Sequence, residues 1–315
     1  DPIVFVAGTP VSLRPSLGVP SVVGTAEELP RLERRLKQDV LSVSLESGGS
    51  VSMHVDDGGG MEDDRVVTQT VREEGLLTPT EVFVAQQAEG LPVEFARVPV
   101  PEEGPPSERT LERLLEHALE VDTSAAVVLS CRTGMGRTTV AMCVSCVVWR
   151  VRSGAELEGG AAPYIDVHNP NYDRAEFEAV IEMVEGLGGL GRVAKQRLDE
   201  AVDRCNALLD LRACILECRR RAERDSRRGG AASTPSDGPF TPDRFAHSRA
   251  GAGGPGPDVW VRRGLLCLER YLQLLLFTAY LMDQAPYNFQ QRFSTWVRHG
   301  TRWHLRPEGK HFALH

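Results

Sequence analysis

Apolar and polar positions change their rhythm several times along the chain, and each rhythm predicts an element. Apolar residues at 3–6 and 11–13 predict a small hairpin turning at Gly8. Residues 27–45 carry a helical period, 50–55 alternate like a strand, and 65–71 read as another strand. Thr78, Pro79 and Glu81 form a helix start, with a hydroxyl cap, a proline in the first turn and a glutamate three residues after the cap. That helix is expected to stop near Gly90, which can take the left-handed closing conformation. A strand over 92–98, a helix over 107–121, a short apolar strand over 125–129 and a helix over 138–151 follow.

Strands separated by helices predict an α/β fold with a small parallel sheet, flanked by helices and closed by crossover connections. Beyond Asp173 the pattern is all-helical, over 173–186, 191–206, 209–224, 259–284 and 288–299. The 259–284 segment is apolar nearly all round, so it is expected inside a core rather than against lipid. Two stretches break the rhythm: a Gly- and Asp-rich loop at 56–64, and a Gly-, Pro-, Ser- and Ala-rich segment at 225–258. The second is too long and polar for a packed connection and is expected to be a disordered insertion. The predicted organisation is a lead-in over 1–64, a core over 65–224, the insertion over 225–258, and C-terminal helices over 259–315 packing on the core.

Composition narrows the functional classes. With 36 Lys and Arg against 44 Asp and Glu, the net charge of −8 argues against a general nucleic-acid binder. The basic run Arg219 to Arg228 is expected to be a solvated helix end. The longest apolar stretch, 274–282, falls short of the ~18–20 residues that cross a bilayer, so no transmembrane helix is predicted. Nothing at the start has the charge and apolar pattern of a secretory leader, and a chain beginning at Asp1 is expected to be a piece of a longer one. Seven cysteines without a disulfide spacing point to a reducing, cytosolic setting, with peripheral membrane contact left open.

Chemistry concentrates at 130–139, Ser-Cys-Arg-Thr-Gly-Met-Gly-Arg-Thr-Thr, between the 125–129 strand and the next helix. A short loop ending at a helix N-terminus aims several backbone N–H groups, and the helix dipole, at one point. Gly134 and Gly136 let the backbone curl around a phosphate without a β-carbon in the way. The same field favours the thiolate of Cys131. Arg137 can hold two phosphoryl oxygens in a fork, and the Thr138 hydroxyl can bond the sulfur and help it leave. The bland alternative is that Cys131 is a small buried apolar residue.

These residues resemble the protein-tyrosine-phosphatase superfamily, whose loop reads His-Cys-x5-Arg, and more narrowly its cysteine phytase-like inositol phosphatases. The likeness runs through DPIVFVAGTPVSLR, EVFVAQQAEGLPVEFARVPVPEEGPP, SCRTGMGRTT, LERYLQLLLFTAYL and RFSTWVR, which leaves only 225–258 without a counterpart. It implies a cysteine-phosphatase fold, Cys131 as nucleophile, Arg137 as the phosphate-binding arginine, and Arg132, Thr133, Gly134, Met135 and Gly136 as the phosphate cradle. Glu102 falls at the position of the family's general acid aspartate, with Glu103 beside it; the alternative is a solvated surface pair. Ser130 replaces the family's histidine. The resemblance implies a phosphoinositide, inositol phosphate or phosphoprotein ligand, no cofactor or metal, and a second phosphatase-like repeat upstream. Both departures lie on the catalytic axis, so a catalytically weak phosphate-binding module is the alternative to a phosphatase.

Cys143 with Cys146 and Cys214 with Cys218 fall inside helices without further ligands at zinc spacing, and are expected to be core thiols. His168, Asn169 and Asp173 lie in a loop after the 138–151 helix, where Asp173 is expected to cap the helix that follows.

Overall fold

The computed structural model describes residues 4–6, 8–11, 28–55, 65–101, 104–122, 124–131, 134, 136–207, 209–227 and 257–300. The chain divides into two compact units, Asp1–Pro99 and Val100–His315.

In the first unit, β1 (Val4–Val6) pairs with β2 (Thr9–Val11) around Gly8, whose φ of 83° suits glycine. After α1 (Leu29–Glu46), β3 (Ser50–Val55) and β4 (Arg65–Thr70) form a second antiparallel ribbon. A two-residue strand, β5 (Leu76–Leu77), adds to the free edge of β1. Val4 and Val6 point to one side of β1 and bury with Leu36, Val40, Val71 and Leu76, which gives this unit its core. α2 (Pro79–Ala88) begins with the expected reciprocal cap: Thr78 Oγ1 accepts from the Glu81 N–H, and Glu81 Oε2 accepts from the Thr78 N–H at 2.7 Å. Lys37 of α1 closes a 3.0 Å ion pair on the same glutamate.

The second unit is helical: α3 (Glu108–Glu120), α4 (Gly136–Arg152), α5 (Glu178–Gly186), α6 (Gly189–Cys205), α7 (Leu211–Arg227), α8 (Pro257–Gln284) and α9 (Phe293–Gly300). α8 is its axis and packs against α4, α6, α7 and α9. It is long and apolar enough to span a bilayer, against the expectation from uninterrupted apolar length, yet 78 % of its most apolar stretch is buried within the protein. Its apolar side chains serve a core, with Leu268, Leu275 and Leu281 fully covered. Tyr280 of α8 forms an aromatic cluster with Phe277, Phe293 and Trp296, which seats α9.

Polar groups tie the same helices together. Asp199 of α6 accepts from Lys195 Nζ and from Tyr271 Oη of α8, both at 2.8 Å, with Arg212 of α7 at 3.5 Å. Next to it, Glu200 accepts from Arg150 of α4 at 2.7 Å and from the Glu158 N–H at 2.8 Å. Both carboxylates are buried, so each needs these donors to offset its lost hydration. α5 and α6 approach so closely at Gly191 that an added Cβ would run into the Val184 carbonyl.

Three expectations are corrected. The described strands pair only antiparallel, and no parallel sheet forms among the described residues. Segments 92–98 and 125–129 carry no ladder. Phe95 stacks on Phe83 at 4.3 Å and Arg97 pairs with buried Glu33 at 2.6 Å, so side chains rather than a sheet hold the first segment. In the second, Val128 is 89 % exposed, whereas a central parallel strand is covered on both faces. Asp173 caps no α-helix: it lies in a 3-10 turn, its N–H bonded to Asn171 Oδ1, and Ala175 takes a left-handed φ of 52° before α5 begins at Glu178. The 225–258 segment lies outside the described residues except for 225–227, which extend α7, and 257–258, which open α8.

Candidate active site

The loop follows an exposed extended segment and ends where α4 begins at Gly136. Gly134 takes φ 70°, a left-handed value that costs glycine little, and its N–H donates to the Cys131 carbonyl at 3.2 Å. That turn reverses the chain between Cys131 and the helix. It leaves Cys131 half-buried and brings its Sγ to the Thr138 hydroxyl, which donates to it at 3.0 Å. Thr138 is itself buried, so this donor is shielded from competing water.

α4 has no acidic residue in its own first turn to offset the partial positive charge of its N-terminal amides. Arg137, half-buried, is the second residue of that turn and adds a full charge. Val140, Val144, Val147 and Val148 are buried along α4, and Arg150 links it to Glu200. A helix gripped on this scale is a rigid mount for the loop at its end. α3 supports it with Leu111, Leu114, Leu115 and Ala118, spaced three and four apart on one face.

The structure thus brings Cys131, Gly134 and Thr138 into contact, with Gly136 and Arg137 opening α4. Arg132, Thr133 and Met135 of the expected cradle, with Glu102 and Glu103, lie outside the described residues. Gly104, next after the two glutamates, has φ 98° and its carbonyl accepts from Arg270 Nε of α8 at 2.9 Å. No local signal in the sequence joins an arginine of a late helix to this glycine. Ser130, where the superfamily has histidine, is exposed.

The other candidates fall into structural roles. Arg219 pairs with Glu223 at 3.0 Å and Arg221 with Glu217 at 2.8 Å, and Arg219 also lies over the Tyr172 ring, so the basic run is largely engaged within its own unit. His168 is exposed, with its N–H bonded to Asp166. Of the four expected core thiols, Cys143 and Cys218 are buried and Cys146 and Cys214 are half-buried.

A strand-like segment, a glycine loop bearing a cysteine, and a helix opening on arginine and threonine define a cysteine-phosphatase-like loop. The protein-tyrosine-phosphatase-like phytase family, described by the words inositol hexakisphosphate, matches residues 1–149, a span that takes in the whole loop. Paladin of Mus musculus is 30 % identical over 236 residues, covering 72 % of this chain and 24 % of its own length. Paladin of Gallus gallus is 27 % identical over 295 residues, covering 89 % and 28 %, and that of Homo sapiens 28 % over 238 residues, covering 73 % and 24 %. No solved structure gives a significant match. The chain is thus paladin-like over most of its length and similar through the loop to the protein-tyrosine-phosphatase-like phytase family, which supports a phosphatase-like or pseudophosphatase module. It spans about a quarter of the length of these curated relatives.

Proposed function

We propose that this module is a cysteine-dependent phosphomonoesterase whose substrate is a phosphorylated inositol ring, carried on a lipid or free. The observation that carries the reading is the Thr138 hydroxyl donating to Cys131 Sγ at the N-terminus of α4. Such a bond favours sulfur as an anion, the form that attacks phosphorus and the form that leaves when the phosphocysteine breaks down.

In this scheme the Cys131 thiolate attacks phosphorus, forming the S–P bond as the ester P–O bond breaks. Arg137 and the amides of 132–136 hold the equatorial oxygens as charge builds on them. Glu102 gives its proton to the departing inositol oxygen. It then takes a proton from the water that cleaves the S–P bond and returns the thiolate, with Thr138 bonded to it. Glutamate in place of aspartate displaces the carboxyl by about one methylene, and misplacement on that scale can cost ~100-fold. The inositol phosphate description of the matching family supports this substrate class over a phosphotyrosine peptide. The seven free thiols support a cytosolic setting as part of the same proposal.

A second reading is favoured by Ser130 and Glu102 together: a module that binds phosphate and turns it over slowly or not at all. Single-turnover phosphate release from phosphoinositides, soluble inositol phosphates and a phosphotyrosine peptide separates the two. The phosphatase reading expects release from an inositol substrate that Cys131→Ser abolishes and Glu102→Gln slows. Binding without release, lost in Arg137→Ala, establishes the second reading instead.

A further inference from the structure

Away from the loop, α7 and α8 bring two thiols together. Cys214 Sγ and Cys267 Sγ, 53 residues apart in sequence, lie 3.0 Å from one another, closer than two sulfurs in simple van der Waals contact. Cys267 is nearly covered and Cys214 half-buried, so the pair sits just under the surface of its own unit. Cys218 also reaches Cys214 from one turn along α7. Residues four apart on a helix keep their Cβ atoms ~5–6 Å apart, and a disulfide needs ~3.8 Å. Cys267 is therefore the sulfur that Cys214 can join.

We infer that Cys214 and Cys267 are the two halves of a reversible disulfide that clasps α7 to α8 when the protein meets a hydroperoxide. Drawing the sulfurs from 3.0 Å to the ~2.05 Å of a bond needs a shift of about 1 Å. The charges around the pair assign the roles. The hydrogen bond from Cys214 lowers the Cys267 thiol below its ordinary range, against the cost of burial, and Arg270 and Arg263 act in the same direction. Cys267 is then the attacking thiolate. Cys205 of α6 behaves oppositely: contact with Cys143 and burial push it up to about 12, so it stays protonated.

The chemistry balances with hydrogen peroxide as oxidant. The Cys267 thiolate forms an S–O bond as the O–O bond breaks, and the released hydroxide takes a proton to become water. The Cys214 sulfur then attacks the sulfenic sulfur. The S–S bond forms, the S–O bond breaks, and a second water leaves with the Cys214 proton. Two thiols lose two electrons to one peroxide, and a dithiol returns them.

The test is peptide mapping of the full chain after peroxide, with free thiols trapped under denaturing, non-reducing conditions. The clasp predicts a linked Cys214–Cys267 peptide as a major product, reversed by dithiothreitol. It also predicts a rise in melting midpoint on the order of 5–10 °C from closing so long a loop, lost in Cys214→Ala and Cys267→Ala and kept in Cys218→Ala. Recovery of both cysteines as free thiols, or of Cys267 as sulfinic acid with Cys214 unlinked, overturns it. The wild-type map decides this even where an alanine variant does not fold, and oxidation of Cys131 does not enter the comparison.

Discussion

The Thr138 hydroxyl donates to Cys131 Sγ at 3.0 Å, across a seven-residue separation that the left-handed Gly134 makes possible. A hydrogen bond to a charged acceptor is worth ~1.5–3 kcal/mol, or roughly 10–100-fold. Thr138→Ala is expected to slow turnover by that factor and to raise the midpoint of Cys131 alkylation with pH by about one to two units. An unchanged alkylation profile would remove Thr138 from thiolate stabilisation, whatever happens to the rate.

Gly134→Ala tests the turn. An L-residue held at φ 70° is strained by about 1–2 kcal/mol, although open space surrounds the position. The variant is expected to keep nearly all its helicity by circular dichroism while losing about tenfold or more in phosphate affinity. Equal losses of helicity and affinity would mean that the turn supports the fold rather than the loop.

Asp199 is the polar hinge of the helical unit. Asp199→Ala takes the acceptor from buried Tyr271 and leaves buried Lys195 with the Arg174 carbonyl but without its carboxylate, and breaking such a pair costs about 3–5 kcal/mol. Tyr271→Phe removes one donor to the carboxylate and is expected to cost about 1.5–3 kcal/mol. Urea midpoints of the two variants should fall in that order.

Alkaline stability is set in part by Tyr280, whose hydroxyl donates to the Gln291 carbonyl at 2.8 Å. Burial, with Glu112 adding to it, pushes this phenol up to about 12 from its ordinary 10. As pH rises past 10 the unfolded chain releases the proton first, so the fold loses stability progressively between pH 10 and about 12 and keeps it in full below 10. Denaturation midpoints at pH 9 and pH 11.5 should differ less in Tyr280→Phe than in wild type. Equal slopes in the two proteins would assign the alkaline loss to other groups.

What the sequence discloses divides along physical lines. Thr78 and Glu81 announce their cap because it is a local exchange of hydrogen bonds, and α2 starts where they place it. The 259–284 expectation and α8 agree within two residues, because an all-round apolar helix has one stable place. The turn at Gly134 and the helix that begins at Gly136 were legible for the same reason, since both are set by glycines within a few residues of Cys131. The sheet was not. Strand character in 92–98 and 125–129 is a local property, but a ladder needs a partner, and neither segment has one among the described residues. β5 escaped notice because two residues have no period. Asp199, Glu200 and Lys195 look like a solvated helix face in sequence, and only the packing of α8 and α7 over α6 shows them to be buried. The approach of Cys214 to Cys267 is a product of the same packing.

The proposed phosphatase chemistry depends on Cys131 carrying phosphate covalently. The most direct measurement is acid quenching within one turnover of a radiolabelled phosphoinositide, followed by mapping of the labelled peptide. Label is expected on the peptide containing Cys131, accumulating further in Glu102→Gln, where hydrolysis of the S–P bond slows, and absent in Cys131→Ser. Phosphate release at an undiminished rate in Cys131→Ser, or label on another residue, would contradict it.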